Sequence, residues 1–319
     1  MHGARSDTGA LFLRYAARRA LALAAVVVVT PSLTFVVFNA LGAGVPLWVQ
    51  ARRPPGYLSD TFLHLDFGQT GPVTQPEEIS HLVLSGLPVD AALLAGGLLL
   101  GIAVGLVTGT VCGARRDGRT DRSLLLCASL GVSVPVYFLA AVALVLFAPL
   151  SGRWPVPFFS DTAAYVSPLR DPLGWLQAMW VPWAVLAVPV AAMCHRMVRA
   201  TLHDVLDEDL LRTARAKGLR ERAVMTRHAL PLTLPPVLGL ISGNMALLVT
   251  NAALIEHPFN MPGAFRFMDV GQFLGEQAHS PQPEIVQALV VEAAVLIALF
   301  VGVCDVLQAR LDPRVAAAG

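Results

Sequence analysis

Charged residues are scarce in this sequence. Asp, Glu, Lys and Arg make up only 14% of the 319 residues, whereas soluble domains carry roughly 25%. Lys217 is the single lysine among 23 basic residues, and the net charge is +1. No clustered basic and aromatic surface is visible, so nothing indicates nucleic-acid binding. The composition argues against an ordinary soluble domain.

Sequence motifs for catalysis are also missing. A phosphate-binding loop GxxxxGK[ST] would need Ser or Thr after its lysine, and Lys217 is followed by Gly218. Ser133 lacks the second glycine of a GxSxG turn. The four cysteines have neither zinc spacing nor a disulfide pattern. All eight histidines, His195 among them, fall in predicted loops or at helix ends. We expect a protein that is not an enzyme and holds no metal or cofactor of its own.

Long apolar blocks dominate instead. A bilayer-spanning helix needs about 20 apolar residues, and 55% of this chain is hydrophobic. The first block is too long for a signal peptide and lacks a cleavage site, so we predict a retained helix. The fourth is the shortest, because Pro182 and Pro189 interrupt it. The six predicted spans are residues 20–41, 89–111, 124–147, 178–194, 232–255 and 285–306.

The basic residues orient these spans. Arg and Lys accumulate in short cytoplasmic loops of membrane proteins. Counted over alternate segments, 18 of the 23 fall on one side and 5 on the other. The sequence therefore predicts an all-α integral membrane protein with six helices and both termini in the cytoplasm. The long outer loops cannot lie in hydrocarbon, so we expect them to form an extracytoplasmic cap.

The predicted organisation follows from this topology. A cytoplasmic N-terminus and first helix would be followed by an outer loop, a five-helix membrane domain and a cytoplasmic tail. A long cytoplasmic loop, residues 195–231, would lie inside the membrane domain. The corresponding boundaries are residues 1–41, 42–84, 85–308 and 309–319.

Glycines recur at every fourth position of the second span. Spacing of four keeps them on one helix face, where another helix can approach closely. We predict a helix-packing face, with sliding between helices during gating as the alternative to static packing. This glycine stripe consists of Gly97, Gly101, Gly105, Gly109 and Gly113.

Polar residues inside apolar spans are a second candidate feature. Asn244 and Asn251 lie in the fifth span, Glu256 follows it, and Glu292 lies in the sixth. Intramembrane acids normally face a bundle interior or a wet cavity. These four residues are candidates for a translocation path, and the alternative reading is a protonated or hydrogen-bonded strut between helices.

The cytoplasmic loop 195–231 contains a short helix pattern. Acidic residues precede basic ones, which suits the helix dipole. We predict Asp207 as the N-cap and Gly218 as the residue just past the helix end. Leu210, Leu211 and Ala214 would form a small apolar face. Such a helix could dock into a partner's cleft, or it could simply be a solvated loop.

This loop resembles the cytoplasmic "EAA" coupling loop of ABC transporter permeases. The match is closest to the dipeptide, oligopeptide and nickel import family, in which a "TARAKGL…HAL" run is typical. Arg227-His-Ala-Leu-Pro231 follows the matching residues here. The residues that match one for one are Thr213, Ala214, Arg215, Ala216, Lys217, Gly218 and Leu219.

Other segments share the resemblance. Ser133-Val-Pro135 is similar to a family Ser-x-Pro, and Glu256-x-x-Phe259-x-x-Pro262-Gly263 to the segment after the fifth helix. The family often continues with Leu-Gly where this chain has Ala264-Phe265. The first outer loop also looks shortened, so the resemblance specifies the family better than the cargo.

The resemblance implies a type I ABC importer permease in the cell membrane (inner or plasma membrane) of a prokaryote, as a multi-pass protein. Its expected partners are a second homologous permease, two ABC ATPase subunits, an extracytoplasmic substrate-binding protein and membrane lipid. ATP and Mg would be bound by the ATPases, whose cleft would receive the region from Asp207 to Leu219. The expected cargo is a di- or oligopeptide. A secondary transporter or channel working without ATP is the alternative function.

Overall fold

The computed structural model describes residues 3–43, 59–64, 66–67, 69–70, 77–114, 118–148, 165–268 and 283–311. Within these ranges the chain is almost entirely helical. The α-helices are α1 Gly3–Ala43, α2 Ile79–Ala114, α3 Arg119–Ser133, α4 Val136–Phe147, α5 Pro172–Leu206, α6 Asp209–Ala216, α7 Glu221–Val224, α8 Leu230–Gly243, α9 Met245–Glu256 and α10 Pro283–Leu311. Shorter elements are the π-helical turns Ser59–Leu63 and Met225–Ala229, the 3₁₀ turn Ala264–Met268, and the antiparallel strands β1 Gln69–Thr70 and β2 Glu77–Glu78.

Four of these helices are long and apolar enough to cross a membrane, and two bent pairs raise the number of candidate spans to six. The all-α membrane fold is confirmed. The side of the membrane on which the termini lie stays a prediction, as do the domain boundaries. Most of the predicted outer cap, and the tail beyond Leu311, lie outside the described residues.

The fourth span differs from the prediction. Helix α5 is continuous over 35 residues although Pro182 and Pro189 lie inside it. Asp171 caps its start by accepting a hydrogen bond from the Gly174 amide at 3.0 Å, and Pro172 occupies the first turn, where a missing N–H costs nothing. Proline is tolerated inside membrane helices, because neighbouring helices and local adjustments of the backbone satisfy the polar groups that it leaves unpaired. The helix is therefore among the longest in the chain.

The third span bends. The chain direction changes by 105° between α3 and α4, whereas the sequence predicts one span over residues 124–147. Pro135 explains the break, because it disfavours helical backbone at the preceding residue. Val134 is accordingly extended, with φ −82° and ψ 126°.

The fifth span also bends, by 61° between α8 and α9. The bend lies at Asn244, whose backbone leaves the helical region at φ −106° and ψ 10°. The Asn244 side-chain amide donates to the Leu240 carbonyl at 2.8 Å. The Leu240 carbonyl also accepts from the Asn244 backbone amide at 3.2 Å, so the side chain reinforces the last turn of α8.

The core lies where α2, α5, α9 and α10 meet, and it extends along the helices towards α8. Large apolar side chains also remain exposed on the outer faces of the bundle, such as Leu99 at 70% and Phe138 at 58%. This distribution is expected for helices that face lipid.

Candidate functional site

The candidate coupling helix is α6. Its residues Leu211 and Ala214 are buried against Leu202 and Val205 of α5 and against Val224 of α7. This small core holds α6 on the end of a bundle helix rather than in a free loop.

The end of α6 is shaped as the sequence predicts. Gly218 has φ +76°, a left-handed conformation that glycine adopts without strain. Its amide donates to the Arg215 carbonyl at 2.9 Å, and the Leu219 amide reaches the Ala214 carbonyl at 3.4 Å. These two bonds close the helix in the manner typical of a C-terminal glycine.

The predicted start of α6 is wrong. Asp207 ends α5, where its amide contacts the Asp204 carbonyl at 3.4 Å. Glu208 precedes α6 and makes no side-chain capping bond. The reason is the length of α5, which continues twelve residues past the predicted span end at Cys194 and thereby absorbs the first third of the loop 195–231.

The predicted apolar face divides into two. Leu211 and Ala214 point inward, whereas Leu210 is 54% exposed. Thr213 and Lys217 are exposed as well, and with Leu210 they lie at helical spacings of three and four, on one side of α6. We name Leu210, Thr213 and Lys217 the coupling face. Leu211 and Ala214 hold the helix in place and are not available to a partner.

Arg215 is fastened within the same region. Its guanidinium donates to both carboxyl oxygens of Glu221, at 2.9 and 3.1 Å, and to the Leu206 carbonyl at 3.3 Å. The hydrogen bonds to Glu221 raise the pKa of Arg215. This side chain therefore joins α6 to α7 and to the end of α5. Ala216 and Leu219 are exposed beside it.

The glycine stripe faces α5 along its whole length. Side chains at the same spacing of four on α5 fill it: a Cβ added at Gly97 would approach Leu186 to 2.6 Å, and one at Gly113 would approach Leu202 to 2.7 Å. Gly101, Gly105 and Gly109 meet Val190, Cys194 and Val198 in the same order. The two helices therefore run parallel in close contact.

His195 was predicted to lie in a loop or at a helix end, and this prediction is wrong. His195 lies inside α5 and is 2% exposed. Its Nδ1 is 3.1 Å from the Thr108 hydroxyl of α2. The continuous helix accounts for the error, because a short fourth span would have left His195 in a loop.

Both asparagines of the candidate path are half-buried. Asn244 is half-buried and hydrogen-bonded to its own helix at the bend. Asn251 is half-buried on α9. Their proposed role in a path stays a prediction, and the structure adds a local role for Asn244 in stabilising the bend.

The two acidic residues of the candidate path come together, and they are joined by a third that sequence reasoning missed. Glu256 ends α9, Glu292 lies on α10 and Asp90 on α2; they are 0%, 2% and 0% exposed. Asp90 lies within hydrogen-bonding reach of both glutamates. Its position in an apolar span was the available signal, since acids there are rare and functional. We name these three residues the carboxyl triad.

Two further buried acids are paired. Asp121 on α3 receives two hydrogen bonds from Arg199 of α5, at 2.6 and 2.7 Å. Asp305 on α10 receives two from Arg19 of α1, at 2.5 and 3.1 Å. Both pairs lie at the end of the bundle that the charge pattern assigns to the cytoplasm. They connect helices far apart in sequence.

Residues 97–317 match the sequence profile of a family described as "binding-protein-dependent transport system inner membrane component". The chain belongs to this family. It is thus a multi-pass membrane permease component of a binding-protein-dependent transport system, as the coupling-loop resemblance predicted. No observation supports the alternative of an ATP-independent channel or secondary transporter.

Relatives of this permease cover most of its length. A provisionally named peptide transport system permease protein of Brucella abortus (strain 2308) is 32% identical over 275 residues, which is 86% of this chain and 82% of that protein. The dipeptide transport system permease protein DppB of Bacillus subtilis (strain 168) is 27% identical over an alignment of 322 positions, gaps included. The alignment covers 95% of this chain and 97% of that protein.

A solved structure shares the fold. The inward-facing MetNI methionine ABC transporter is similar to 72% of this permease and to 96% of the compared chain. The TM-score is 0.52 at 18% sequence identity. The fold is therefore that of a type I ABC importer permease.

Proposed function

We propose that this permease carries peptides across the cell membrane of a prokaryote as one half of a two-permease path. The names of the relatives, peptide and dipeptide permeases that align over 82% and 97% of their lengths, support this cargo. An extracytoplasmic binding protein would deliver the peptide. The loops that would receive it lie largely outside the described residues.

The proposed energy source is a pair of partner ATPases that bind ATP and Mg. Our proposal rests on the geometry of α6, which is anchored on α5 by Leu211 and Ala214 and presents the coupling face outward. Closure of the ATPases would push this face, and α5 would carry the displacement into the bundle through the glycine stripe. ATP can drive such a change only by favouring one state over the other.

The test is purification of the intact complex from its native membrane, with the permease tagged at a terminus. We expect mass spectrometry to find a second permease and an ATPase, and uptake of labelled di- or oligopeptide to require ATP. Peptide uptake by the permease alone, without any ATPase, would refute the mechanism. Uptake of a different solute by the complete complex would refute only the cargo.

A further inference from the structure

The carboxyl triad lies among backbone groups that offer it almost no donors. The Ala264 amide donates to Asp90 Oδ2 at 2.9 Å. Among the residues that the structure describes, the other Asp90 oxygen and both oxygens of Glu256 and of Glu292 have no hydrogen-bond partner. The Arg266 backbone approaches Glu256 without acceptable hydrogen-bond geometry. Five fully enclosed acceptor atoms thus face one another.

The oxygens are brought together by a glycine. A Cβ placed on Gly263 would overlap Asp90 Oδ1 and lie 2.5 Å from Glu256 Oε2. Only a residue without a side chain leaves room for these two carboxyls to meet. The crowding shows that this arrangement is built into the fold and does not arise from a loose surface contact.

Three ionised carboxylates cannot occupy this space unaided. A carboxylate only accepts hydrogen bonds, whereas a carboxylic acid also donates one. Uncompensated buried charges are strongly unfavourable. An arginine can compensate a buried carboxylate, as Arg199 does for Asp121 and Arg19 for Asp305. No arginine side chain reaches the triad in the part of the chain that the structure describes.

Among the described residues, the remaining charged and titratable neighbours place no cation against the three carboxyls. Tyr165, before α5, faces Asp90, and burial raises the pKa of its phenol, so it stays neutral. The Arg266 side chain is exposed and stacks on Phe267 at 4.7 Å. His257 is exposed as well. No metal-binding group of His, Cys, Asp or Glu occurs among the described residues.

The geometry points to the carboxyl triad as a proton-binding site that holds at least two protons. Protonated Glu256 and Glu292 donate to the central carboxyl of Asp90, whose second oxygen accepts from Ala264. Two protons are enough to link all three side chains. The site goes beyond the proposed transport function, and it does not depend on the cargo.

The bound protons would also stabilise the packing of the segment that follows α9 against α2. Residues 257–268, which we name the outer strap, follow α9 and bury Phe259, Met261 and Ala264 in the main core. A Cβ on Gly86 of α2 would overlap Ala264, so the strap lies directly on α2. Loss of the protons would leave adjacent negative charges beneath the strap. Release of the strap would then let water reach them.

Infrared spectroscopy of the intact complex in nanodiscs tests this site. We expect a carbonyl band of protonated carboxylic acid at neutral pH that shifts in deuterium oxide. Labelling glutamate with carbon-13 should shift the glutamate share of the band in the unaltered sequence. Glu256→Gln and Glu292→Gln should each remove part of it. Asp305→Asn is the matched control and should leave the band intact, because that buried carboxylate is paired with the Arg19 guanidinium through two hydrogen bonds.

Unfolding temperature gives a second readout. A folded state that holds more protons than the unfolded chain loses stability as the pH rises. We expect the unfolding midpoint to fall from neutral to alkaline pH, and the Glu256→Gln/Glu292→Gln double variant to lose most of this pH dependence.

Absence of a protonated glutamate band at neutral pH would overturn the proposal. Disappearance of the band on adding sodium, potassium or methylammonium would identify a cation site instead and would also overturn it. None of these readouts requires transport.

Discussion

Gly218 acts through its backbone conformation, because it has no side chain that could contact a neighbour. A Cβ added there meets no atom within 4 Å, but the backbone is left-handed at φ +76°. Two effects of substitution are therefore separable. A small side chain adds only backbone strain of about 1 kcal/mol, whereas a bulky one also fills space beside the coupling face.

We predict that Gly218→Leu abolishes ATP-dependent uptake while the permease remains in the membrane. The added volume would obstruct docking of the ATPase, and quantitative uptake into proteoliposomes would measure the effect. Gly218→Ala should retain most of the uptake, because its side chain is small. Gly243→Ala is the control for a glycine with equally open surroundings and no positive φ. Full uptake by the Gly218→Leu variant would exclude a coupling role for this end of α6.

At the scale of elements, α2 and α5 act as one unit. The glycine stripe lets side chains of α5 pack directly against the backbone of α2, and the Trp183 indole donates to the Ala92 carbonyl at 3.0 Å. Near the α6 end of the bundle, Arg199 also joins α5 to α3. Close packing of this kind transmits displacement because interiors have little free volume.

We expect Gly105→Leu to destabilise the bundle. A Cβ at this position would overlap Cys194 and lie 2.8 Å from the Ala191 carbonyl, so the helices must separate. Overpacking typically costs about 1–3 kcal/mol. Thermal unfolding in detergent would measure the loss, with Gly302→Ala as the control because its Cβ meets Leu23 only at 3.4 Å. Equal unfolding midpoints for Gly105→Leu and the parent would contradict tight packing along the stripe.

Removing one partner of the α3–α5 ion pair should lower the stability against unfolding more than removing both partners. Arg199→Leu leaves Asp121, which is 3% exposed, without its guanidinium, and an unpaired buried charge costs about 3–5 kcal/mol. The Arg199→Leu/Asp121→Leu double variant should recover part of this stability. A double-mutant cycle on unfolding midpoints would decide. Additive effects of the two single changes would show that the pair contributes nothing.

At the scale of the whole molecule, the charge pattern predicts an orientation in the membrane. The charge count places α6 and both termini on the cytoplasmic side and the outer strap on the opposite side. His257 and Leu210, both exposed, lie at the two opposite ends of the bundle and can report on it.

We predict that an impermeant thiol reagent labels His257→Cys only from outside the cell and Leu210→Cys only from the cytoplasmic side. Both variants need a background without the four native cysteines, since Cys127 is exposed. Right-side-out and inverted vesicles would supply the two sides. The reverse labelling pattern would invert the topology.

Sequence alone predicted the all-helical membrane fold, the family and the end of α6, because each has a signal in local sequence. Apolar length reports burial in lipid, and Gly218 marks a backbone conformation that other residues avoid. The glycine stripe was visible for the same reason, since a spacing of four defines one helix face. The charge bias predicted an orientation but could not test it.

Only the tertiary structure decided which residues act together. Asp207 ends α5 instead of starting α6, because packing against α2 extends α5 through two prolines that local rules treat as breaks. The carboxyl triad joins residues from three separate helices. Their convergence depends on how the outer strap folds back onto α2, a long-range contact that no local pattern encodes.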